Sequence, residues 1–94
     1  MYTKIGSKFK LLKSMLGNSA GVIGYVFHQY KDYDDSDEIA IEIIFSNGNY
    51  DGFSKREQSD FLEYQGYNLE YAGYIFQNVI QVSKDFRNGY WKFD

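Results

Sequence analysis

The chain has no cysteine, no proline and a single histidine, His28. Without cysteine there is no disulfide framework, no thiol nucleophile and no zinc knuckle, and nothing marks a redox compartment. A lone histidine excludes a histidine-based metal cluster and any two-histidine mechanism. A Ser-His-Asp set can be assembled on paper around any one histidine, but the strand-to-helix nucleophile elbow is missing. No apolar run approaches the ~18 residues of a membrane span. The opening MYTKIGSKFKLLK carries lysines, yet no apolar stretch in it is long enough for a secretion signal. The expectation is a cytoplasmic protein with no membrane partner. Repeats and low-complexity tracts are also missing, and the glycines are scattered as punctuation without forming a linker. Residues 1–94 therefore read as one domain.

Aromatic residues are what the chain has in excess: 20%, with ten Tyr, eight Phe and one Trp. Part of that excess serves a small core, which needs large side chains to fill it. Tyrosine also suits interfaces, because it joins a large apolar ring to a hydroxyl that must find a partner when buried. Charge is uneven. Residues 1–31 hold Lys4, Lys8, Lys10, Lys13 and Lys31 without an acid, and residues 32–94 hold all thirteen acids against five bases. The two segments carry +5 and −8 within a net charge of −3. Two halves that interleave in one fold can neutralise each other; otherwise an acidic face is left for a basic partner.

Alternation of apolar and polar residues places the strands. Lys8 to Lys13 reads as a first strand with a solvated lysine side, although Phe9, Leu12 and Leu16 also fit a helix over 8–16. Gly17 to Gly21 is a turn cluster. Val22 to Tyr30 is a second strand, with Ile23, Tyr25 and Phe27 on one side and Val22, Val26 and His28 on the other. Gly24, in mid-strand, marks a bend, a bulge or a close backbone approach. The stretch IAIEIIF, residues 39–45, alternates cleanly as a third strand. Asn47-Gly48 suits a two-residue type I′ turn into a return strand, Asn49 to Phe53. Ser54-Lys55-Arg56-Glu57 is a capping-box pattern that starts a helix over 55–64 and directs Phe61 and Leu62 to the core. Tyr64 to Gly73 reads as a connection, Tyr74 to Val82 as the last strand, and Ser83 to Asn88 as one helical turn ended by Gly89. The fold expected is mainly β, a small antiparallel barrel of about five strands with one helical insert near 55–64.

The residues GVIGYVFHQY, the charged loop after them, IAIEIIFSNGNYDGFS, a helical turn and a closing strand together resemble an SH3-like barrel of the KOW type. In that family a Gly-x-x-Gly-x-Val stretch, matched here by Gly21 to Val26, bends the strand between two loops. The resemblance covers residues 8–54 and extends to 74–82, and it implies binding of protein or RNA through loops and edge strands. The segments NGNYDGFS and KDFRNGYW are similar to small uncharacterised proteins of phages and mobile elements of Gram-positive bacteria, which implies a genomic setting and no residue roles.

Candidate chemistry is thin. Asp32, Asp34 and Ser36 fall at alternate positions of a calcium loop, but Asp37 stands where glycine is required and Ile43 where a bidentate glutamate is required. Glu42 is the only acid inside an expected strand and Glu57 is committed to the cap, so no carboxylate pair faces across a cleft. The glycines make neither a phosphate loop nor a dinucleotide fingerprint. The chain is expected to be no enzyme and to need no cofactor or metal. It is expected to be a protein-binding module, specifically a phage- or mobile-element inhibitor of a host defence protein. Its expected partner-binding residues are Asp32, Asp34, Asp35, Asp37 and Glu38 in the acidic loop, with Tyr67, Tyr71, Tyr90 and Trp91 as aromatic anchors. Nucleic-acid binding through Lys4, Lys8, Lys10 and Lys13 is the alternative, opposed by a pI near 5.0. A third expectation is a small-ligand binder that sequesters a nucleotide on tyrosines. An exposed edge strand also leaves a symmetric homodimer open.

Overall fold

The computed structural model of the chain describes residues 4–15, 17–32, 38–67 and 79–89. Five strands form one antiparallel sheet: β1 (Ser7–Leu11), β2 (Ile23–Asp32), β3 (Glu38–Phe45), β4 (Tyr50–Phe53) and β5 (Leu62–Tyr67). Helix α1 (Lys55–Phe61) lies between β4 and β5, and helix α2 (Val79–Arg87) follows. The spatial order is β4-β3-β2-β1-β5. The domain is mainly β, as expected.

Burial alternates along β1, where Phe9 and Leu11 are buried and Lys10 is exposed. That period of two selects strand over the competing helix. In β3, Ile41, Ile43 and Phe45 face inward and join Phe9, Leu11, Val26, Phe53 and Leu62 in one cluster. All five strands contribute to it. In a flat sheet, β4 and β5 would be four strand spacings apart, about 19 Å. Here the Phe53 ring of β4 sits 6.5 Å from that of Phe61, whose neighbour Leu62 opens β5. The sheet is therefore strongly curled, with α1 between its two edge strands.

Gly24 is a close-approach glycine. A Cβ there would lie 2.7 Å from Cδ1 of Phe45 and would also collide with Cγ2 of Ile43. Its missing side chain lets the inner face close over β2.

Four expectations need correction. The β3–β4 turn is a three-residue loop, Ser46 to Gly48, and not a two-residue type I′ turn. The Gly48 amide donates to the Phe45 carbonyl, the Phe45 amide donates to the Asn49 carbonyl, and Gly48 takes φ +92°. Asn47 turns its side chain to other work, described below. Second, α1 starts as the capping box predicts, with the Glu57 amide donating to Ser54 Oγ and the Ser54 amide to Glu57 Oε1. It ends at Phe61, because Leu62 leaves helical geometry to pair with Leu11. Third, the closing strand is Leu62–Tyr67, which spans the end of the expected helix and the start of the expected connection. Fourth, residues 79–82, expected as the end of a strand, begin α2; residues 74–78 lie outside the described residues. Val82 and Phe86, four apart, share one helix face and pack on Tyr25 and Ile44. The helical turn expected at 83–88 is the second half of this longer helix, closed by Gly89 at φ +75°.

Candidate functional site

The outer face of the sheet, opposite the eight-residue core, is finished in two parts. Over one part α2 seats Val82 and Phe86 on Tyr25 and Ile44, with Ile23 and Phe27 packed beside them. The Ser83 hydroxyl donates to the Gly48 carbonyl at 2.6 Å and ties the helix to the β3–β4 loop. The other part carries Phe27, His28, Tyr30, Glu42 and Tyr50 with no described helix over it.

A bulge makes this second part. Val26 pairs with Ile43, but the next pair is His28 with Glu42, so Phe27 is an extra residue in β2. Without it, His28 would stay on the side of Val22 and Val26, as the strict alternation predicted. The bulge turns His28 outward to meet Glu42, with Nδ1 2.9 Å from Oε1. A carboxylate only accepts, so Nδ1 carries the hydrogen. His28 then stacks on Tyr30 at 5.9 Å and 18°. The Tyr30 hydroxyl lies over Gly52, where any Cβ would stand 2.8 Å from it. Phe27 and Tyr50 meet edge to face at 5.9 Å and 86°. Tyr50 nevertheless keeps 57% of its surface in solvent.

Of the nine expected partner-binding residues, Asp32, Glu38 and Tyr67 are among the described residues. Asp32 and Glu38 are the last position of β2 and the first of β3, directly opposite each other in the register. They stand at the sheet end toward which His28 and Tyr30 run. Asp34, Asp35, Asp37, Tyr71, Tyr90 and Trp91 lie outside the described residues. Tyr67 is exposed at the end of β5, with the Lys4 ammonium 4.6 Å above its ring. Lys13 stands 5.4 Å over Phe61 at the far end of β1, and Lys8 and Lys10 pair with Tyr25 and Ile23. Lys8 and Lys10 thus lie in β1, with Lys4 and Lys13 beyond its two ends and over rings. Phe27, Tyr30 and Tyr50 were missed as surface residues. Phe27 and Tyr50 lie on the side that alternation from Tyr25 and Phe53 gives them, whereas for Tyr30 only a bulge signal at Phe27 could have shown it, and no glycine marks it.

Among the described residues no three His, Cys, Asp or Glu side chains converge as a metal site. No helix among them is long and apolar enough to cross a membrane. Rings fixed on a hydrogen-bonded sheet lose little conformational freedom when a partner covers them, which is the physical requirement for a docking anchor. The fold and surface together define a small curled-sheet domain with an exposed aromatic flank. No protein-family model, curated protein or solved structure matches the chain.

Proposed function

We propose that this domain is a non-enzymatic protein-binding module that docks through the open part of its outer face. One observation carries the reading. Tyr50 is the most exposed described tyrosine, yet it is held edge-on by Phe27, beside the His28–Tyr30 stack. Pre-ordered tyrosines of this kind bury a large area at small entropic cost. Asp32 and Glu38, paired where β2 ends and β3 begins, add negative charge by sequence at that end of the sheet, which favours a partner with basic side chains around an apolar centre. The narrower expectation, a phage- or mobile-element inhibitor of a host defence protein, rests on resemblance alone and gains nothing from the fold. Nucleic-acid binding draws less support, because Lys4 and Lys13 are engaged with rings at opposite ends of β1.

The test is affinity capture from the native cell with the wild-type chain, Tyr30→Ala/Tyr50→Ala and Lys8→Glu/Lys10→Glu. The expected result is a protein retained by the wild type and the lysine variant and lost with the tyrosine variant. Recovery of RNA alone, or equal retention by all three, contradicts the proposal.

A further inference from the structure

At the other end of β4 a cleft of about 380 Å³ is lined by Asn18, Asn49, Tyr50, Asp51 and Arg87. Its hydrogen-bonding is set by the backbone. The Asn49 amide donates to Asn47 Oδ1, which leaves Asn47 Nδ2 as a donor. That group donates to Asn18 Oδ1 at 2.9 Å, and Asn49 Nδ2 donates to the same oxygen at 3.4 Å. The amide chain thereby fixes which way Asn18 faces. Its oxygen is taken twice, and its Nδ2 has no partner among the described residues. Asn18 is only 4% exposed, so this is an unspent donor in a buried side chain at the cleft wall.

Arg87 supplies the second donor. Its stem packs against Gly48, where any Cβ would collide with Arg87 Cγ and stand 2.8 Å from the Ser83 carbonyl oxygen. The glycine thus serves the turn and also gives the arginine its seat. No hydrogen bond or ion pair engages the Arg87 guanidinium among the described residues, even though Asp51 lines the same cleft. Asp51 Oδ1 is occupied by the Gly52 amide at 2.9 Å.

We infer that this cleft is a carboxylate-binding site, with the Arg87 guanidinium and Asn18 Nδ2 as its donors and the Tyr50 ring as its flat wall. A guanidinium fork and an amide NH₂ match the two oxygens of a planar monoanion. Asp51 argues against phosphate, whose second charge would double the repulsion. The carboxylate comes either from a chain terminus or small acid, or from an acidic side chain. The site is independent of the docking surface, and only Tyr50 belongs to both.

The test is a ¹H–¹⁵N NMR titration that follows the Asn18 side-chain NH₂ and the Arg87 Nε–H. The probes are N-acetylglycine, a capped peptide with one central glutamate, and inorganic phosphate. Saturable shifts at both groups with either carboxylate probe are expected, and which probe works identifies the source. Arg87→Met keeps the packed stem and removes the fork, and is expected to weaken binding roughly tenfold or more. Asp51→Asn preserves an acceptor for the Gly52 amide and is expected to tighten it. No saturable shift, a response to phosphate alone, or unchanged affinity in Arg87→Met overturns the assignment. Loss of capture in Tyr30→Ala alone, which leaves the cleft wall intact, with this titration unaffected in the same variant, keeps the two proposals separable.

Discussion

The inner and outer faces of the sheet use the same strands and are completed in different ways. On the inner face every strand contributes, and curvature gathers Phe9, Leu11, Val26, Ile41, Ile43, Phe45, Phe53 and Leu62 into one cluster, with Phe61 of α1 packed against it. On the outer face four buried residues, Tyr25, Ile44, Val82 and Phe86, form a smaller cluster, and it exists only because α2 is laid across β2 and β3. Beyond α2 the same face carries Tyr30 and Tyr50, 39% and 57% exposed. The difference shows where this chain spends its aromatic excess. Among the described residues the buried rings of the inner cluster are all phenylalanine, whereas the outer face mixes Phe27 and Phe86 with Tyr25, Tyr30 and Tyr50, whose hydroxyls suit a boundary with water or a partner.

The comparison breaks most visibly at Phe45. This ring is fully buried and meets Phe53 edge-on at 6.2 Å. Phe45→Ala is expected to cost about 4 kcal/mol, a large share of the roughly 5–15 kcal/mol that holds a small domain together. Chemical denaturation should find the variant largely unfolded or close to it. Phe86→Ala attacks the outer cluster instead, where α2 can shift to fill part of the void, and about 3 kcal/mol is expected. The two variants should also differ in kind. Hydrogen exchange in Phe86→Ala should rise first in the amides of α2, leaving those of β1 and of the paired β2 and β3 strands protected. Uniform loss of protection would mean that the two clusters are one cooperative core.

Much of the inner face was legible in the sequence, because a half-buried strand must alternate and Ile39 to Phe45 does so. The capping box at Ser54 was legible because it has one local physical cause, whereas Gly24 was legible only as a bend, a bulge or a close approach, among which the packing of Ile43 and Phe45 decides. β5 was not. Of its six residues only Leu62 is buried, while Glu63, Tyr64, Gln65 and Tyr67 are exposed. It is a strand through backbone pairing with β1, which leaves no hydrophobic period to read. α2 was hidden because β-branched Val79, Ile80 and Val82 suit a strand, and a tertiary surface over Tyr25 and Ile44 decided for the helix. The candidate surface was illegible because one extra residue, Phe27, reverses the side taken by His28 and Tyr30. The conserved-spacing logic of alternation fails wherever the register slips by one.

The central claim is that the open part of the outer face is not needed to hold the fold. Tyr50 tests it most directly. The unfolding free energy of Tyr50→Ala, measured by urea denaturation beside the wild type, should fall by less than about 1 kcal/mol, the scale of one edge-on ring pair. A loss of about 3 kcal/mol or more, as expected for a core phenylalanine, would make Tyr50 a structural strut and contradict the docking surface.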